Sequence, residues 1–470
     1  MTFPGKEHHH HGHGHVQNTP SQPVSSYLTR NLGNRVLYVV LPLLLLHLYF
    51  FAHHLQPSAS PPPSLAETSV NPSFNINNEN KKKNIEKKRE KGFRVPVSAS
   101  TTDSSSPQEC DFTDGRWVQD NDAGYLYNDT TCRSIIQEGQ NCMAHGRPDT
   151  GYLRWRWQPN GCDHLAPFDA TSFLRMLRNK HLAFIGDSLA RNQLESLLCL
   201  LSTEVTPDMM YHNGEDSRFR RWRFPKPYNT TISIYWSPFL IKGIEKDESK
   251  GLNYNTLFLD IVDERWAMEI DEMDLIVFAI GHWFLHPAIY LDNNGSSSLG
   301  CHFCGGMNHT EVDFYDVFRM AFDTSLNHIN GANDGKKKNK LVTVTTFSPS
   351  HFLGEWDKAG ACPKKEPERD DVVVEGMNAE MRRRQVEAVA AVTKKKNRSV
   401  EFAILDVTRL AVLRPDGHPG PYMLPFPFAH GVGERVQNDC VHWCLPGPID
   451  TWNQIYLEIV KNWWKKWKQQ

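Results

Sequence analysis

Six consecutive apolar residues, Leu275-Ile276-Val277-Phe278-Ala279-Ile280, constrain this chain more than any other segment. A run this short and this apolar has no solvent side, so as a strand it must lie inside a sheet covered on both faces. Related strand-forming runs occur at residues 181–185, 231–236, 255–261, 341–347 and 401–407. Helical patterns occupy residues 189–201, 313–329, 374–392 and 449–465. Strands alternating with helices predict an α/β/α sandwich around a central parallel sheet, because parallel neighbours are joined by a crossover that is usually a helix. Ligands in such folds bind beyond the carboxyl ends of the strands.

The first hundred residues read differently. Residues 36–52 (VLYVVLPLLLLHLYFFA) form an apolar stretch at the short end of what spans a bilayer. A long polar leader precedes it and no small-residue cleavage site follows, which predicts a signal anchor rather than a cleaved signal peptide. Arg30 and Arg35 flank its amino end, and no Lys or Arg follows before Lys81, so the amino terminus is expected in the cytosol. Residues 1–35 then form a disordered cytosolic tail, for which disorder is a better reading of its His-rich tract than metal binding. Residues 53–108, rich in Ser, Pro, Asn and Lys, cannot bury enough apolar surface to offset their ordering entropy and are expected to form a disordered stem.

The cysteines agree with a lumenal body. All ten (Cys110, Cys132, Cys142, Cys162, Cys199, Cys301, Cys304, Cys362, Cys440 and Cys444) follow the anchor, an even number suited to disulfides in an oxidising compartment. Acceptor sequons for N-glycosylation lie on the same side, at Asn128, Asn229, Asn294, Asn308 and Asn397. Residues 109–163 combine four of the cysteines with a dense aromatic set and are expected to form a small disulfide-braced lobe, ahead of an α/β domain over 164–466. Cys301-X-X-Cys304 has no second pair at zinc-finger spacing and reads as a local disulfide, so no metal is expected. A formal charge of −2 gives no general pull toward nucleic acid, and none is expected as a partner.

Two short segments carry the chemistry. Gly186-Asp187-Ser188 ends the first strand and opens the helix at 189, where the helix dipole and free N–H groups favour developing negative charge. Asp439-Cys440-Val441-His442-Trp443-Cys444 sets an aspartate three residues before a histidine, in a loop flanked by two cysteines that would rigidify it. Serine, histidine and aspartate suffice for nucleophilic acyl transfer: the histidine takes the serine proton and the aspartate orients the imidazole. Ser188, His442 and Asp439 are therefore the expected catalytic residues. Asp187, next to the serine, is the competing carboxylate and reads better as a support of the turn.

The run Gly186-Asp187-Ser188-Leu189-Ala190-Arg191-Asn192-Gln193, together with residues 439–447, Gly281-His282-Trp283 and Thr346-Phe347-Ser348-Pro349-Ser350-His351-Phe352, resembles the plant trichome birefringence-like family of polysaccharide O-acetyltransferases. The resemblance covers about Cys110 to Trp464. It implies an SGNH-hydrolase-like (GDSL esterase-like) catalytic domain in a type II, single-pass Golgi membrane protein. It further implies transfer of acetyl groups to a cell-wall polysaccharide acceptor from an acetyl donor, either acetyl-CoA or an unidentified acetyl carrier, with no bound cofactor. A membrane protein that supplies acetate is a possible partner. The segment around Cys301 and Cys304 resembles members assigned to xyloglucan, whose galactosyl side chains carry acetate; xylan and mannan remain open. Where related esterases supply an oxyanion-hole asparagine from a Gly-X-Asn-Asp block, this chain has Gly281-His282-Trp283-Phe284. The oxyanion and substrate candidates are the Ser188 N–H, Arg191, Asn192, Gly281 and His282, with Arg191 equally readable as an ion-pair partner and His282 as a satisfied interior histidine. The rival functions are an acetyl esterase with the same triad and a non-catalytic polysaccharide-binding protein.

Overall fold

The computed structural model describes residues 110–469 except 123, 163–164, 213–217, 293, 333–338, 396 and 398. The expected tail, anchor and stem lie outside these residues. Among the described residues no helix is long and apolar enough to cross a membrane.

The chain starts with an antiparallel pair, β1 (Gly115–Gln119) and β2 (Trp155–Pro159), whose facing residues Trp117 and Trp157 meet edge to face at 5.5 Å. The disulfide Cys110–Cys162 closes this lobe. Helix α1 (Ala170–Met176) follows, with the Asp169 carboxylate capping it through the Ser172 N–H. Then come β3 (His181–Gly186), α2 (Ser188–Leu201), β4 (Asp208–His212), β5 (Phe219–Phe224) and β6 (Thr230–Trp236). Strands β7 (Ile241–Ile244), β8 (Asn255–Val262), β9 (Leu275–Ala279), β10 (Ala288–Asp292) and β11 (Ser297–His302) lead to α3 (Phe314–Ala332). The chain finishes with β12 (Lys340–Thr345), α4 (Gly376–Thr393), β13 (Val400–Leu405) and α5 (Asp450–Gln469).

The principal sheet runs β13-β12-β9-β3-β6-β5-β4. From β13 to β6 every pair is parallel, and β5 and β4 add antiparallel at one edge. The sheet is thus mixed where a parallel one was expected. Residues 225–229 between β5 and β6 are too few for a crossover, so those strands can only meet as a hairpin. Residues 255–261 also depart from expectation: β8 lies in a second sheet, β11-β10-β8-β7. Its burial alternates, as befits a strand with one covered face, whereas every residue of β3, β9 and β12 is buried.

Alternation along β3 divides the core. Leu182 and Phe184 join α1, α2 and α5 on one face, while Ala183 and Ile185 join α3 and α4 on the other. Each such fully buried large apolar side chain contributes roughly 1.5–3 kcal/mol. The Cys132–Cys199 and Cys142–Cys444 disulfides fasten the amino-terminal lobe to α2 and to the carboxyl-terminal loop. Arg414 adds a buried tie: it pairs with Asp416 at 2.8 Å, donates to the Tyr152 carbonyl at 2.6 Å and lies over the Trp117 ring.

Gly186 ends β3 where the backbones of β3 and β9 crowd together. A Cβ there would sit 1.9 Å from the Ala279 carbonyl oxygen, so only glycine permits the approach. Gly186→Ala is expected to destabilise the protein by on the order of 3 kcal/mol, read as a lowered thermal midpoint. An unchanged midpoint would contradict this account of the turn.

Candidate active site

The serine turn is built by Asp187. It is the N-cap of α2: Oδ1 accepts the Leu189 N–H at 2.9 Å, and Oδ2 accepts the Gly281 N–H at 3.0 Å. One carboxylate thereby joins the ends of β3 and β9 at the carboxyl edge of the sheet. Burial pushes its pKa up to about 6, against these N–H donors and the attraction of His442. Ser188 is half-buried as the first residue of α2. The first N–H groups of a helix have no intrahelical acceptor. Among the described residues neither the Ser188 N–H nor its hydroxyl has a hydrogen-bond partner.

The histidine loop is held more tightly. Asp439 Oδ2 takes the Nδ1–H of His442 at 2.7 Å, while Oδ1 accepts the N–H groups of Val441 and His442, each at 2.9 Å. The carboxylate fixes both ring tautomer and backbone, leaving Nε2 as the basic nitrogen. That Nε2 is sealed from solvent and has no hydrogen-bond partner. Burial disfavours the imidazolium, but the charge and hydrogen bond of Asp439 override it and raise the His442 pKa above its ordinary 6.5. The Asp439 pKa is lowered: burial opposes this, and attraction to His442 outweighs the burial.

Asn192 brings the two halves together. Its side-chain oxygen accepts the Trp443 N–H at 2.7 Å, and its amide donates to the Trp443 carbonyl at 3.2 Å. Asn192 lies one helical turn beyond Ser188 on the same helix face, so the residue after His442 is clamped beside the serine. The loop is fastened elsewhere too. Cys440 and Cys444, read from sequence as flanking clamps, bond to separate segments, at Cys362 and Cys142. His418 donates from Nδ1 to the His442 carbonyl at 2.7 Å and stacks on Trp443 at 4.3 Å. His351 meets His418 Nε2 at 2.7 Å. Arg147, from the amino-terminal lobe, donates to the carbonyls of His418 and Asp416 at 2.8 and 2.7 Å.

These contacts sort the oxyanion and substrate candidates. The Gly281 N–H is engaged by Asp187 and is not free to serve an oxyanion, whereas the Asn192 amide gives one of its two N–H groups to the Trp443 carbonyl. His282 Nε2 donates to the Ser348 carbonyl at 2.8 Å and its ring lies on Phe347; burial draws its pKa down to about 4 and keeps it neutral. The Ser188 N–H, Arg191 and the second amide N–H of Asn192 remain. Arg191 has 15% of its side chain exposed and reaches Glu195 only at 4.0 Å. Glu195 is shared with Arg220 at 3.2 Å, leaving this buried trio one positive charge in excess beside the site.

Sequence reasoning missed His418 and the roles of Asn192 and Trp443. His351 and Ser348 lay in a motif already noticed, but His418 sits in an irregular segment with no periodic signal. The remaining cysteines form Cys301–Cys304, the local bridge expected. Of the sequon asparagines, Asn128 caps a turn through the N–H groups of Thr130 and Thr131, and Asn229 is tied to Arg223 and Asn179. Asn397 donates to the Asn330 carbonyl, while Asn294 and Asn308 are exposed.

Comparison with known proteins adds a second line of argument. Residues 165–459 match the model of the GDSL/SGNH-like acyl-esterase family found in Pmr5 and Cas1p, and residues 108–163 match the PMR5 N-terminal domain. The chain is 50% identical over 429 residues to xyloglucan O-acetyltransferase 1 of Populus trichocarpa, covering 91% of this chain and 92% of that one. It is 56% identical to xyloglucan O-acetyltransferase 2 of the same organism over 75% of this chain and 82% of that one. Xyloglucan O-acetyltransferase 1 of Arabidopsis thaliana is 53% identical, over 75% of this chain and 81% of the relative. A crystal structure of a carbohydrate esterase family 3 protein from Talaromyces cellulolyticus aligns at 13% identity with a TM-score of 0.28, over 60% of this chain and 99% of that one.

Two measurements follow from the geometry. Asn192→Ala frees the histidine loop and is expected to lower turnover of an activated acetyl ester about 100-fold; turnover within twofold of wild type would show the clamp to be dispensable. A general base must be neutral, so activity should fall as pH drops through the raised His442 pKa, with the acid limb above 6.5. Asp439→Asn should move that limb to lower pH and cut the rate by about 10³–10⁴. An acid limb that stayed in place would remove Asp439 from the role of orienting partner.

Proposed function

The chain belongs to the GDSL/SGNH-like acyl-esterase family found in Pmr5 and Cas1p, and on that premise we propose that it acetylates xyloglucan, on side-chain galactose, through an acetyl-serine at Ser188. One observation carries the reading: a buried, unpartnered His442 Nε2, its tautomer fixed by Asp439, clamped one helical turn from a serine at a helix amino terminus. The names of the relatives support the polysaccharide and the transfer reaction.

In the first half-reaction His442 Nε2 takes the Ser188 hydroxyl proton as Oγ bonds to the donor's acetyl carbon. The tetrahedral oxyanion is taken up by the Ser188 N–H, with the Arg191 guanidinium one helical turn on as the nearby positive charge. It collapses with cleavage of the bond to the donor's leaving group, which receives the proton from His442. In the second half a galactosyl hydroxyl gives its proton to the same nitrogen and attacks the acetyl carbon. The Oγ–acetyl bond then breaks and Ser188 recovers the proton. Transfer outcompetes hydrolysis when bound sugar keeps water from the acetyl-serine. The donor is an acetyl carrier, acetyl-CoA or a carrier loaded by a membrane partner.

The proposal includes the location. Residues 36–52 would hold the chain in the Golgi membrane as a single-pass type II protein with its catalytic body in the lumen. The ten cysteines and the sequons, all beyond that stretch, support an oxidising compartment.

Mass spectrometry of xyloglucan, xylan and mannan oligosaccharides after incubation with the purified protein and an acetyl donor tests the reading. Acetyl galactose on xyloglucan is the expected product, and Ser188→Ala should lower its formation by at least about 10³-fold with the fold intact. Free acetate alone under saturating acceptor would point to an esterase. Activity retained by Ser188→Ala would remove the covalent route.

A further inference from the structure

We propose that the indoles of Trp236 and Trp283 form the seat for the acceptor sugar, receiving the apolar C–H face of the galactosyl ring beside Ser188. The inference rests on the transferase reading and identifies the part of the site that selects a sugar hydroxyl over water.

Both tryptophans are tethered to the serine turn. Trp236 is the last residue of β6 and lies opposite Gly186 in the parallel register, two residues before the nucleophile. The next residue, Ser237, donates its N–H to the Gly186 carbonyl at 2.9 Å. At the end of the strand the Trp236 ring meets Trp283 and Glu245. On the other side of β3, Trp283 follows Gly281 by two residues, and Gly281 donates to Asp187 at 3.0 Å. The strands flanking β3 thus each deliver an indole to the carboxyl edge of the sheet.

The pair has the form of a corner. The rings are 5.4 Å apart and nearly perpendicular, at 86°. Trp283 is braced edge-on by Phe239 at 5.9 Å and by His286 at 5.7 Å. Trp236 is steered by a hydrogen bond from its Nε1–H to Glu245 Oε1 at 3.0 Å. Ordinary core packing is the competing account; it covers one edge of Trp283 and fits Trp236 poorly. Phe239 and Phe284 beneath are 1% and 0% exposed, whereas both indoles are only partly buried: Trp283 packs at the margin of the core that holds those two rings, and Trp236 belongs to neither core cluster. A neutral pyranose has no charge to pair; its recognition needs an apolar face with polar edges, which two rigid indoles supply at low entropic cost. A ring stacked there would also cover the approach of water to an acetyl-serine.

The test separates seat from chemistry. Binding of a galactosylated xyloglucan oligosaccharide is measured by calorimetry on the full-length Ser188→Ala protein, alone and combined with Trp236→Ala or Trp283→Ala. Each tryptophan change is expected to weaken binding about tenfold or more, with Trp236→Tyr and Trp283→Phe retaining affinity to within about threefold because they keep an aromatic face. In the active protein the same alanine variants should raise the acceptor KM with a much smaller change in kcat, the signature of lost uniform binding. Unchanged oligosaccharide affinity in both alanine variants, or a kcat loss with unaltered KM, would overturn the proposal. Failure of the transferase reading itself has a different sign: no acetylated product from the wild-type protein while the binding differences persist.

Discussion

One side-chain amide holds the site together. Asn192 makes two hydrogen bonds to the Trp443 peptide and spans 251 residues of chain, from the first turns of α2 to the loop that carries the histidine. Each buried hydrogen bond contributes about 1 kcal/mol net, but leaving its partners unpaired costs roughly 1–3 kcal/mol per group. The position of His442 is therefore enforced by the penalty for letting go. The disulfides at Cys440 and Cys444 limit how far the loop could travel, and the stacking of His418 on Trp443 fills the space behind it.

Burial separates the carboxylates into distinct tasks. Asp187 and Asp439 both lie close enough to act on His442, yet Asp187 spends its oxygens on the N–H groups of Leu189 and Gly281 while Asp439 reaches the imidazole. The first shapes the backbone and has a raised pKa; the second faces a partner that can become cationic and is held ionised. Arg191, Glu195 and Arg220 follow a related logic. A buried ion pair is a weak source of stability but expensive to break, and sharing one carboxylate between two guanidiniums leaves net positive charge on the helix that begins at Ser188.

Much of the fold was legible because its strands are short, apolar and continuous. The expected strands at 181–185, 231–236 and 275–280 lie within a residue or two of β3, β6 and β9. The failures share a physical cause. Periodicity reports how a segment is covered, not which neighbour pairs with it, so β8 was sent to the wrong sheet and the antiparallel strands β4 and β5 were missed. That Cys440 and Cys444 brace their loop was legible from spacing, whereas their partners, left open by the sequence, depended on which segments meet in space.

The sequence alone determined the chemical parts: a serine between strand and helix, an aspartate three residues from a histidine, and cysteines to brace the loop. Those are local properties, set by propensity, spacing and side-chain chemistry. Tertiary structure decided their employment. It committed Asn192 and the Gly281 N–H to scaffolding, recruited His418 from an unpatterned segment, and gathered Trp236 and Trp283 on either side of β3. Such assignments depend on which hydrogen-bonding groups remain unpaired after packing, a quantity that exists only once distant parts of the chain are in contact.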